Sequence, residues 1–181
     1  YGNMAGVPYS HAVALRQLGL NSCNVIPDAA DPVGTDLPLY DRQLPYDRAL
    51  SAESDPRLLR TLSRGQFFLR ALRECSLIHF YGTTILPRLL DLPLLRAWGT
   101  PMIISWAGGD GRITEWARKK NPYFYRASDP KRDDEVRRRL ERMGRTVRYV
   151  ATDPELAEHS RPFFERVFVL RQPLDLSNWI P

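Results

Sequence analysis

"PMIISWAGGDGR", residues 101–112, decides how this chain is read. The apolar run Pro101–Ile104 is too short for a buried helix and about the length of a buried strand, and it stops at a tryptophan, an alanine and two adjacent glycines. A strand that is apolar on both faces belongs in a parallel sheet covered by helices. Gly108 and Gly109 permit positive φ and let a ligand or another backbone come close, and Asp110 and Arg112 offer hydrogen bonds to whatever approaches. The turn therefore has two readings: a ligand-facing loop, or a flexible connection whose acid caps the next helix.

Working outward, strand-like runs recur at 21–26, 76–81, 101–106, 146–151 and 166–170. Between them lie amphipathic stretches at Pro8–Leu18, Asp55–Arg73, Leu86–Trp98, Pro130–Met143 and Pro154–His159. The alternation predicts an α/β fold built on a doubly wound parallel sheet with helices on both faces. In the first helix Pro8 suits a first turn, Leu15 and Leu18 share a stripe with His11, and Gly19 is placed to end it left-handed. In the fourth, Asp129 caps, Pro130 starts, and Val136, Leu140 and Met143 form the buried stripe. Asp133–Arg137, Asp134–Arg138 and Glu135–Arg139 are spaced as i,i+4 ion pairs. Residues 28–50 hold three prolines and read as a long loop, a common place for function. Only "YGNMAGV" precedes the first helix, where a doubly wound sheet opens with a strand; a longer natural chain is the expectation.

The 181 residues suffice for one domain with a core that needs no disulfide or structural metal. The net charge of +5 is mild but regional: from Arg112 to Arg148 thirteen residues are basic and six acidic, net +7, which leaves −2 for the rest. Phosphate on a nucleotide, a lipid head group or a nucleic acid would each reward such a segment, and a solvated helix face would also explain it. Cys23 and Cys75 lie far from any C-x-x-C or metal-ligand spacing, so two free thiols in a reducing compartment are expected. No apolar run approaches the ~20 residues that span a bilayer.

Three glycine-containing turns fall where ligands bind in an open parallel sheet, beyond the carboxyl ends of strands. "GNMAG", Gly2–Gly6, would expose backbone N–H groups and a helix N-terminus to a phosphate, yet it is neither G-x-G-x-x-G nor a Walker loop. The missing G-x-G-x-x-G also weighs against a nicotinamide-dependent oxidoreductase. "HFYGTT" (79–84) brings His79, Tyr81 and Thr83 to the same edge, where a lone strand histidine reads as a satisfied core group or a cleft lining. "SWAGGDGR" is the third. His11, His79 and His159 have no second ligand type at metal spacing, and no Ser–His–Asp order is present, so neither a metal nor a nucleophile is expected and no catalytic residue is assigned. "NPYFYR" (121–126) is either a ligand shelf or packing.

Taken in order, "GVPYSHAVALRQLGLNSCNVI", "LIHFYGTTILP", "DLPLLRAWGTPMIISWAGGDGR", "NPYFYR", "ATDPEL" and "LRQPLDLSNWIP" resemble the N-terminal, acceptor-side domain of GT-B glycosyltransferases of the retaining family 4 type. The resemblance implies a Rossmann-like half of a two-domain architecture, with 171–181 starting an interdomain linker, and transfer of a sugar from a nucleotide-sugar donor to a carbohydrate or lipid-linked hydroxyl acceptor. It implies that Gly2, Asn3 and Gly6 approach the donor phosphates, that Gly108, Gly109, Asp110 and Arg112 border the sugar, and that His79, Tyr81 and Thr83 line the cleft. The nucleotide sugar is co-substrate, with no further cofactor and no metal. The partners implied are the chain's own C-terminal domain and a peripheral anionic membrane at its cytoplasmic face, not nucleic acid. A hexosyltransferase-type activity in glycan biosynthesis would need both halves, so this chain alone is expected to be inactive. The chain departs from the family at Ala107, a methyl where the family's "HGSD" has a histidine that meets the sugar. The rival reading is a non-catalytic Rossmann-like domain that binds an anionic partner through the basic segment 112–148.

Overall fold

The computed structural model describes residues 7–29, 45–52, 54–106, 111–124 and 129–170. Within them the protein is mixed α/β, with every strand pair parallel. Its chain divides into two compact units, one of residues 1–75, 83–91 and 172–181, the other of residues 76–82 and 92–171.

The first unit opens with helix α1 (Val7–Gln17), which ends as the sequence predicts: Gly19 adopts φ +81° and the N–H of Leu20 returns to the Leu15 carbonyl at 3.0 Å. The buried face differs from the predicted stripe. Val7, Pro8 and Ala12 are buried, whereas Leu18 is 78% exposed and Leu15 also reaches solvent, because only the N-terminal half of the helix is covered. Strand β1 (Val25–Ala29) starts later than its sequence pattern, directly after Asn24. The Asn24 N–H donates to the Asp47 carboxylate at 2.7 Å, and its carbonyl accepts from Asp47 and Arg48. Arg16 completes that corner, donating to Asp47 at 2.8 Å; burial pushes the Asp47 carboxyl up, and these two hydrogen bonds outweigh it and leave it below its ordinary value.

Strand β2 (Arg48–Ala52) pairs with β1 from Val25↔Arg48 to Ala29↔Ala52, so the end of the expected 28–50 loop is strand; residues 30–44 lie outside the described residues. "RALSA" contains no β-branched or aromatic residue, and only pairing holds it extended. Helix α2 (Arg57–Glu74) lies against β2 and buries Phe68 and Ala71. The helix expected over Leu86–Trp98 is broken. Leu86 is extended, as the residue before a proline avoids helical backbone, and Pro87–Leu89 forms a 3₁₀ turn in which Arg88 and Leu89 take positive φ. The buried Asp91 carboxylate then gathers the N–H groups of Ile85 (2.6 Å) and Leu86 (3.3 Å).

The second unit is a sheet of four strands in sequential order: β3 (Ile78–Tyr81), β4 (Met102–Ser105), β5 (Tyr149–Thr152) and β6 (Arg166–Val169). Its connections carry α3 (Asp91–Trp98), α4 (Thr114–Lys120), α5 (Pro130–Gly144) and α6 (Pro154–Ser160). Leu92, Leu95, Phe80, Ile104, Ile113, Leu140, Met143, Val150 and Leu156 are almost fully buried, and the predicted stripe of α5 is buried along its length. Asp129 caps α5 through the N–H groups of Lys131 and Arg132, and Asp153 caps α6 through that of Leu156. Gly144 ends α5 where a Cβ would fall on the Phe163 carbonyl. Both cysteines are free thiols.

Candidate functional site

The site is built at the carboxyl ends of β3 and β4. Their register sets Tyr81 beside Ser105, and the Gly82 N–H continues the ladder to the Ser105 carbonyl at 3.0 Å. The strands in which "HFYGTT" and "SWAGGDGR" begin therefore end side by side at one edge of the sheet, as the sequence predicts. His79 and Tyr81 fall two apart on one face, with rings stacked at 4.2 Å between centroids.

Their hydrogen bonds fix a proton order. The Ser105 hydroxyl donates its one proton to the Ala151 carbonyl (2.5 Å), so it accepts from His79 Nε2 at 2.7 Å. In a neutral ring Nδ1 is then bare and accepts from the Tyr81 hydroxyl at 3.1 Å. Burial pushes the Tyr81 phenol well above its ordinary range, which keeps that donor protonated. Tyr81, His79, Ser105 and the Ala151 carbonyl thus form one chain across β3, β4 and β5. Each link is satisfied, and His79 has the settled surroundings of a structural imidazole rather than those of a base awaiting substrate. Thr83 follows Gly82 and groups with the first unit.

Beyond β4, Trp106 is 3% exposed and its carbonyl accepts from the Thr152 hydroxyl at 3.0 Å. Gly111 lies against the indole so closely that a Cβ there would come within 2.8 Å of Trp106 Cγ. Arg112 is buried for most of its length and holds Glu155 in a two-pronged pair, Nε to Oε1 at 2.7 Å and Nη2 to Oε2 at 2.8 Å, with its guanidinium 5.4 Å from the centre of the Phe124 ring. Gly2, Asn3, Gly6, Gly108, Gly109 and Asp110, and with them Ala107, lie outside the described residues.

Arg139 is the residue that sequence reasoning missed. It donates to the Gly82 carbonyl at 2.5 Å, and its guanidinium lies 5.6 Å from the centre of the Trp106 ring, so one side chain of α5 ties the ends of β3 and β4 together. Its expected i,i+4 pair with Glu135 is not formed. The signal was its place between Val136 and Met143 at helical spacing, which points Arg139 inward along the buried stripe. Asp133 departs in the same way. Almost fully buried, it leaves Arg137 and accepts from the N–H groups of Thr114 (2.7 Å) and Glu115 (2.8 Å), capping α4 from α5. Asp134 receives Arg137 at 3.5 Å, one residue closer than predicted, and Arg138 turns to the Asp134 carbonyl.

The basic segment is less exposed as charge than its composition implies. Glu155, Glu158 and Glu165 stand outside it in sequence but beside it in space, pairing with Arg112, Lys120 and Arg148. Lys119 pairs with Glu115 inside it. His159 is buried and accepts the Ile113 N–H on Nδ1 at 3.2 Å; burial holds its imidazole below the ordinary value. Among the described residues no group of three or more His, Cys, Asp and Glu is placed to hold a metal ion, and no helix is long and apolar enough to cross a membrane. Comparisons of the chain with protein-family models, with curated proteins and with solved structures find no match.

Proposed function

We propose that this chain is the acceptor-side, Rossmann-like half of a GT-B glycosyltransferase that moves a sugar from a nucleotide-sugar donor to a hydroxyl acceptor with retention. The observation that carries the reading is the register of β3 against β4, which gives the two glycine-containing turns a common edge. That edge is where open parallel sheets bind ligands. The rest comes from the family resemblance of the sequence.

On this reading the Tyr81–His79–Ser105 chain is the rigid floor of the cleft, and Arg139 fixes the two strand ends against which a sugar would rest. Arg112 holds Glu155, so it sets the exit of the 107–112 turn and contacts a sugar only through donors left over from that pair. Breaking the bond between the anomeric carbon and the leaving phosphate oxygen places negative charge on the phosphate. Backbone N–H groups of the Gly2–Gly6 turn would stabilise that charge without a metal. Ala107 would leave the sugar one hydrogen bond short of the family's usual set. A lipid-linked acceptor would bring the protein to a membrane surface.

Calorimetric titration with a panel of nucleotide sugars, followed by product detection, tests the proposal. The 181 residues should bind donors weakly and transfer nothing, while a chain extended by a donor domain should transfer. Micromolar binding with turnover by the 181 residues alone would contradict it.

A further inference from the structure

We propose that Arg60 and Arg64 of α2, gathered around Asp28 at the carboxyl end of β1, form a binding site for a phosphoryl anion. The site lies wholly in the first unit and does not rest on the glycosyltransferase reading.

The charges around Asp28 are unbalanced. Arg64 Nη2 holds Asp28 Oδ2 at 2.5 Å, and the Ser51 hydroxyl reaches Asp28 Oδ1 at 2.6 Å, so both carboxylate oxygens are engaged. Arg60 Nη1 stands 3.9 Å from the same Oδ2, within attraction but beyond a hydrogen bond. Two guanidiniums therefore share one carboxylate, and the second has no direct acceptor on it. No other described acid of this unit is spare: Asp47 takes Arg16, Glu74 takes Arg70, Asp55 takes the Ala52 N–H, and Asp91 takes those of Ile85 and Leu86.

The donors left over are costly where they stand. The Nε atoms of Arg60 and Arg64 are both buried and have no hydrogen-bond partner among the described residues. A buried donor without an acceptor is rare in folded proteins and marks a place for water or an ion. Both side chains remain about a third exposed, at 32% and 30%, so a solute can reach their forks. The cluster also occupies the carboxyl end of a parallel strand pair, Asp28 facing Ser51 in the register, which is the end that receives ligands. An oxyanion with several acceptors matches two guanidinium forks better than a single carboxylate does, and a phosphoryl group supplies three oxygens. Asp28 would then position the arginines and partly offset their repulsion while the site is empty.

The experiment titrates inorganic pyrophosphate into the full chain at low salt, following the Arg60 and Arg64 Nε–H resonances. Both should shift, with a dissociation constant of about 1 mM. Arg60→Gln should weaken binding about tenfold, and Asp28→Asn, which releases Arg64, should tighten it. Thermal midpoints establish that the variants are folded; if Asp28→Asn does not fold, Arg60→Gln decides. Resonances that stay fixed, or equal binding by Arg60→Gln, would overturn the site. Co-sedimentation with phosphatidic acid vesicles that free pyrophosphate abolishes would assign the phosphoryl group to a lipid head group. Pyrophosphate binding without sedimentation would assign it to a soluble molecule.

Discussion

The carboxyl ends of the two parallel sheets hold their arginines in opposite ways. In the four-stranded unit Arg112 is clasped by Glu155, and Arg139 by the Gly82 carbonyl and the Trp106 face, so each guanidinium has its partner within its own unit. In the other unit Arg60 and Arg64 compete for Asp28, and donors remain. Cationic groups at equivalent edges thus serve different ends. Where each guanidinium has a partner of its own, arginine acts as a fastener and its loss costs stability. Where charge exceeds its partners, arginine stores interaction free energy that a bound anion can release, and its loss costs binding instead.

Removing the fasteners should hurt in proportion to what they leave unsatisfied. Asp133→Ala strips the first turn of α4 of its acceptors in a buried place and should cost about 3 kcal/mol, lowering the thermal midpoint by about 8 °C. Arg139→Ala leaves the Gly82 carbonyl and one indole face unserved and should cost about 1.5 kcal/mol in denaturant unfolding. Glu155→Gln weakens a pair whose acid is half exposed. The cost should stay below about 1 kcal/mol and shrink as salt is added. Arg60→Gln should be smallest, within about 0.5 kcal/mol of the parent, because it relieves repulsion from Arg64 as it removes a distant ion pair. A large destabilisation by Arg60→Gln would erase the contrast and make both edges structural.

Acidity offers an independent check on the four-stranded unit. Burial lowers the folded-state value of His159, so as pH falls through the ordinary 6.5 the unfolded chain takes up the proton first. Stability is full above that value and declines as pH falls through the lower folded one. His11, in the first unit and also lowered by burial, adds to the slope for the whole chain. Thermal midpoints at neutral and mildly acidic pH should therefore fall toward acid, and His159→Phe should flatten the decline.

Elements that carry their own signals were legible in sequence. Helix α5 announces itself through Asp129, Pro130 and the Val136–Leu140–Met143 stripe, and α1 stops at the glycine that ends it. What stayed hidden is held from a distance. Helix α4 has no capping side chain of its own and borrows Asp133, nineteen residues beyond Thr114. Strand β2 has no strand-forming residue and borrows β1. The site divides the same way: Tyr81, His79 and the end of β4 could be read from glycine-bounded strands, whereas Arg139 could not be separated from its helical neighbours until the strands it joins were in place. Charge counted along the chain misled for a related reason, since Glu155, Glu158 and Glu165 reach the basic segment only through folding.

The central claim is that the edge shared by β3 and β4 receives a nucleotide sugar. Backbone amide shifts of the full chain, followed during titration with nucleotide diphosphate sugars, test it most directly. The account predicts weak, saturable shifts at Gly82, Ser105, Trp106, Gly111 and Arg112, reduced in Arg139→Ala. Shifts confined to Arg60 and Arg64 would keep the anion site and contradict glycosyl transfer at this edge. An edge that stays silent to every nucleotide sugar would contradict the proposed function outright.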